Sequence, residues 1–72
     1  MAWNGKDLEV IQAARTNNCV FSKRRKTYVF AAFSSTGNRE SFKTALSQLA
    51  GIQYEDWELD SDSLYVVRVT PT

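Results

Sequence analysis

A lone cysteine, Cys19, and the absence of histidine leave this 72-residue chain without an internal disulfide or a zinc framework to staple it. Its fold has to come from apolar packing alone. That is a demanding condition, because a domain of about this size buries only roughly 60% of the surface its unfolded chain exposes. The apolar share of 43%, with two Trp, three Tyr and four Phe, meets the condition and is too high for a disordered chain. No apolar run approaches the roughly 18 residues of a membrane span, and Met1, Ala2, Trp3 and Asn4 do not open a secretory signal. The expectation is one domain in the cytoplasm, with residues 1–6 as an arm and 70–72 as a tail.

Residues 7–16 read as a short helix. Asp7 serves as its N-cap or as a first-turn acid, Leu8, Ile11 and Ala14 form an apolar stripe with Val10 beside them, and Thr16, Asn17 and Asn18 end it. Trp3 precedes this helix and either folds back on it or stays exposed as a contact residue. Residues 19–22 and 27–33 are rich in β-branched and aromatic types and predict a hairpin with Lys23, Arg24, Arg25 and Lys26 as its tip. Tyr28, Phe30 and Ala32 share one face of the second strand, and Val29, Ala31 and Phe33 share the other. Two apolar faces suit a central strand covered on both sides.

A polar loop over 34–38 leads into the clearest helix. Phe42, Ala45, Leu46, Leu49 and Ala50 mark its buried stripe, Glu40 falls in its first turn and Gly51 at its C-cap. Arg39, Lys43, Thr44, Ser47 and Gln48 point outward. The last third predicts a second hairpin over 53–59 and 64–70 that turns at Asp60, Ser61 and Asp62 and is stopped by Pro71. Tyr65, Val67 and Val69 form one face of its final strand, and Leu64, Val66 and Arg68 the other. Strict alternation separates Tyr54 from Trp57, so a bulge near Glu55 and Asp56 is expected. The order is α-β-β-α-β-β, an α+β domain with a mainly antiparallel sheet.

Catalysis finds little equipment here. Without histidine a Ser, Thr or Cys nucleophile has only Lys or a carboxylate as base, and Ser22 and Lys23 point apart as neighbours on a strand. Asp60 and Asp62 suit a solvated turn better than acid–base work or a calcium loop, since the glycine and distal acid of such a loop are missing. Gly5, Gly37 and Gly51 fit no phosphate-loop spacing. Cys19 reads as a small core residue. No catalytic, cofactor or metal residue is assigned.

The charges carry the functional reading. A net charge of +1 hides a basic pole at Lys23, Arg24, Arg25 and Lys26 and an acidic one at Glu55, Asp56, Glu58, Asp60 and Asp62. Four cations on a hairpin tip suit phosphates, with a salt slope of about −3 to −4 on duplex DNA. They suit an acidic protein equally, or simply a soluble edge. Tyr28 and Phe21 adjoin the tip where bases would stack. The acidic stretch surrounds Tyr54 and Trp57, a pattern fit to capture an Arg- and Lys-rich groove on a partner. It also fits an edge strand blunted by charge. The two poles pairing with each other, within the chain or in a weak homodimer, is a further option, at about 0–1 kcal/mol per exposed pair.

The stretch 28–71 resembles a plan found among small phage-encoded proteins: strand, helix, then two strands with acids around an aromatic. Gln53 and Tyr54 after the helix, and Val67, Arg68, Val69, Thr70 and Pro71 at the end, are similar to the small host RNA polymerase inhibitors of certain podophages. A phage antitermination factor of this size that binds host RNA polymerase fits equally well, and anti-CRISPR proteins share the same size and acidic surfaces. The resemblance implies a non-enzymatic regulator that binds a large host complex in the host cytoplasm, with Tyr54, Trp57 and Arg68 carried over as contact residues. The N-terminal helix and basic hairpin lie outside it. A protein partner, RNA polymerase in its most concrete form, is therefore expected at Trp3, Tyr54, Glu55, Asp56, Trp57, Glu58, Arg68 and the basic tetrad. The alternatives are a nucleic-acid-binding domain working through residues 23–26 or an inhibitor of a nuclease complex.

Overall fold

The computed structural model describes residues 3–59 and 63–72. The turn and the calcium and acid–base readings of Asp60 and Asp62 lie outside the described residues. The elements run α1 (Lys6–Thr16), β1 (Phe21–Arg24), β2 (Val29–Phe33), α2 (Thr36–Leu46), β3 (Ile52–Leu59) and β4 (Leu64–Pro71), the α+β order expected. All neighbouring strands pair antiparallel in one sheet of order β1-β2-β4-β3. β2 and β3 are therefore parallel with β4 between them, so β2, α2 and β3 make a split β-α-β unit. Moving β4 ahead of α1 would turn the connectivity into the β-α-β-β-α-β order of ferredoxin-like folds.

Both helices lie on the same side of the sheet. Val10 and Ala14 of α1 and Phe42 and Leu46 of α2 close over Val29, Ala31, Phe33, Val67 and Val69, and Phe33 and Phe42 meet with ring centroids 5.1 Å apart. In α1 Leu8 is 60% exposed instead of joining the stripe. Val10 and Ala14, one turn apart, centre the buried face, and at about 100° per residue Leu8 falls on the far side. Gly5 at φ 85 is the N-cap, and Asp7 sits in the first turn with its carboxylate accepting from Leu8 N at 3.0 Å. At the other end Asn17 Nδ2 donates to Ala13 O at 2.8 Å, the competition for backbone groups expected of this residue. Cys19 is half-buried against the core.

α2 begins earlier than the sequence pattern suggests. Ser35 Oγ accepts from Asn38 N at 3.1 Å, which caps the helix at Thr36 and puts Glu40 beyond the first turn. Ser35→Ala is expected to lower stability by about 1 kcal/mol, seen as a shifted urea midpoint at unchanged m. The helix also stops sooner, at Leu46 with Ser47 as C-cap. Gly51 is thus not the helix cap. At φ 80 it makes the turn into β3, where its carbonyl accepts from Thr72 N at 2.9 Å.

β3 pairs with β4 without interruption from Ile52↔Pro71 to Leu59↔Leu64, so the expected bulge is absent. Tyr54 and Trp57 consequently point to opposite faces. Pro71 is the last paired residue of β4 and not a stop before it, and it is buried. Among the described residues no helix is long and apolar enough to cross a membrane.

Candidate functional site

With α1 and α2 on one side, no element among the described residues is left to cover the other. The second strand is central and covered on both faces as expected, but helices roof only its Val29, Ala31 and Phe33 face. Register places two cross-strand layers on the open face. One is Lys23–Phe30–Arg68–Glu55, and the next is Phe21–Ala32–Val66–Trp57. Phe30 lies between the other two rings, stacked on Phe21 (centroids 5.9 Å, 24° between planes) and edge-on to Trp57 (5.9 Å, 63°). These rings roof the face themselves. Val66 and Ala32 beneath them are wholly buried, while Phe21 stays 46% and Trp57 37% exposed. Phe21 and Trp57 keep part of their ring surfaces open, and with half-buried Phe30 between them they form an exposed aromatic row available to a partner.

The basic tetrad is split by the strand that carries it. Lys23 and Arg24 belong to β1, and the turn beyond is closed by Arg25 N donating to Tyr28 O at 2.8 Å, so the tip is residues 25–28. Lys23 stands opposite Phe30 on the open face. Arg24, on the helix side, reaches Asp7 at 3.5 Å. Lys26 supplies its carbonyl to Trp3 Nε1 at 3.1 Å, so half-buried Trp3 ties the hairpin to the start of α1. Lys23, Arg25 and Lys26 are exposed and have no ion-pair partner among the described residues.

The acidic strand is differently placed. Among the described residues its carboxylates, Glu55, Asp56 and Glu58, pair with α2 and β4 and not with the tetrad. Arg39, which sequence pattern turns outward, instead lies over the Tyr65 ring with its guanidinium carbon 5.2 Å from the centroid, and it reaches Asp56 and Glu58 at 3.8 Å each. Lys43 donates to Asp56 at 3.3 Å and Glu40 at 3.4 Å. Burial works to lower the pKa of that ammonium, but the hydrogen bonds and charges of Asp56 and Glu40 outweigh it, and the net shift is upward. On the open face Glu55 Oε1 accepts from Arg68 Nη2. The acid-rimmed aromatic patch of the sequence reading is therefore divided: Tyr54 shares the helix side with Asp56 and Glu58, and Trp57 shares the open face with Glu55.

Beside the aromatic row, over the β3–β4 pair, a shallow recess of about 400 Å³ is lined by Gln53, Tyr54, Glu55, Arg68 and Thr70. Its walls offer carboxylate, guanidinium, amide and hydroxyl groups, suited to hydrogen-bonding a planar polar ligand. Sequence reasoning named Phe21 and Tyr28 beside the basic hairpin but left Phe30 in the core. The missed signal is the count of covering elements: two helices on one face leave aromatic residues of the other face to cover themselves. No protein-family model matches the chain, and no match is found among the curated proteins or the solved structures.

Proposed function

We propose that this chain is a non-enzymatic module that binds single-stranded nucleic acid across the uncovered face of its sheet. The observation that carries the reading is the Phe21–Phe30–Trp57 row with Lys23 in the same face. Every base has a π-face, and stacking on an aromatic side chain contributes about 1–3 kcal/mol per base. In a duplex those faces are hidden, so an exposed aromatic row favours unpaired strands. Four-stranded sheets with helices behind and aromatics in front are an established way to hold such strands. The charge arrangement supports this. The β3 carboxylates are engaged by Arg39, Lys43 and Arg68, so the net +1 chain presents Lys23, Arg25 and Lys26 as a local cationic edge to phosphates.

The test is binding to short single-stranded RNA and DNA as a function of salt. Three phosphate contacts on a single strand give a slope of about −2 in log K against log salt. Replacing Lys23, Arg25 and Lys26 together by alanine is expected to bring that slope close to zero while Arg24 and Asp7 still tie the hairpin to α1. Absence of a shift with any single strand at low salt overturns the reading.

A second reading is a protein partner, with a phage-type modulation of host RNA polymerase in the host cytoplasm as its concrete form and a nuclease complex as the variant. It is favoured by β3 being an outer strand of eight residues, with no strand among the described residues on its far side, and by Tyr54 and Trp57 exposed on its two faces. Affinity capture from bacterial lysate that recovers no polymerase or nuclease subunit removes this reading.

A further inference from the structure

Resting on the nucleic-acid reading above, we infer that the Glu55–Arg68 pair makes the open face prefer guanine among unpaired bases. Register puts the two side chains in the same cross-strand layer as Phe30, in the order Lys23–Phe30–Arg68–Glu55. A base lying over Phe30 with its sugar–phosphate toward Lys23 would present its hydrogen-bonding edge to Arg68 and Glu55. The recess beyond Phe30, lined by both members of the pair with Gln53 and Thr70, gives that edge room.

The chemistry of the pair selects among the four bases. Side-chain exposure of 45% for Arg68 and 57% for Glu55 leaves both within reach of a ligand. The two side chains pair with each other, and a carboxylate with about four lone-pair sites and a guanidinium with five N–H donors keep capacity for a ligand within that pair. Guanine alone presents two adjacent donors, N1–H and N2–H, which match a carboxylate. It also presents two acceptors, O6 and N7, which match a guanidinium fork. Adenine and cytosine offer the carboxylate only an exocyclic amine, and uracil only N3–H.

The experiment uses short, fluorescently labelled oligoribonucleotides of uridine with G, A, C, U or inosine at the centre, titrated with the full chain at low salt. Their deoxy counterparts form a second arm. The central G is expected to bind about tenfold tighter than A, C or U, with inosine, which lacks the N2 amine, in between. Glu55→Gln replaces the carboxylate by an amide of the same size and is expected to bring the G strand down to the level of the others, with an unchanged melting temperature as the check on folding. Arg68→Lys, which keeps the charge but loses the fork, is expected to reduce the preference as well. Equal affinity for all five centres overturns the guanine inference and leaves the single-strand reading standing. Failure of every strand to bind overturns the reading beneath it.

Discussion

Phe42→Ala is expected to lower the melting temperature by roughly 15–30 °C. Phe42 is wholly buried and packs on Phe33 at 5.1 Å between centroids, at the contact of α2 with the sheet. Truncating a buried Phe to Ala costs about 3–5 kcal/mol through lost transfer energy and the cavity left behind. A chain of this length holds about 4–11 kcal/mol in total at 0.05–0.15 kcal/mol per residue. A domain this small shifts by about 4–8 °C per kcal/mol. No disulfide compensates, since Cys19 is the only cysteine. A fall of under 5 °C in a thermal melt would mean that α2 does not close the core as described.

The second large effect concerns binding. Phe30→Ala is expected to weaken single-strand affinity about 10–100-fold, the consequence of losing about 1–3 kcal/mol of stacking. Phe30 is the one ring in contact with both of the others, so its loss also leaves Phe21 and Trp57 without an aromatic neighbour on the face. Because the same ring helps to cover Val66, alanine lowers stability too, and the two effects have to be separated. Phe30→Leu does so: it keeps apolar cover over Val66 but has no flat surface to stack on. Loss of affinity with Leu at near-normal melting temperature assigns the effect to stacking. Full affinity with Leu would assign Phe30 to the core, where sequence pattern alone puts it.

The element order, the central β2 and the alternation of β4 are legible in the sequence because each follows from apolar spacing within one segment. Phe42 and Leu46 announce a buried helix face, and Val67 and Val69 a strand face, without knowledge of anything else. What was not legible depends on partners in other segments. Leu8 and Val10 both fit an apolar helix, and only the docking angle of α1 decides which is buried. Ser35 is one of several polar residues before α2, and its capping role emerges once Asn38 N is seen to lack another acceptor. Arg39 and Lys43 lie on the polar side of a helical wheel, yet β3 brings Asp56 and Glu58 against them.

The candidate site shows the same division. The basic residues and Trp57 were visible as composition, but their grouping was not. Strand register sends Lys23 to the open face and Arg24 to the helix side, although the two are neighbours in sequence. Register also separates Tyr54 from Trp57, and unites Phe21 with Trp57 across four strands. A charge split that pointed to two contact poles thus becomes one cationic edge beside an aromatic face, with Glu55, Asp56 and Glu58 paired to α2 and β4.

The measurement that bears most directly on this account is mapping of amide and side-chain resonances during titration with a short single-stranded RNA. The expected result is a set of shifts confined to Phe21, Lys23, Phe30, Glu55, Trp57 and Arg68 and the hairpin tip at Arg25 and Lys26, with the outward faces of α1 and α2 unmoved. Shifts confined to the helices, or none at saturating RNA in low salt, would contradict it.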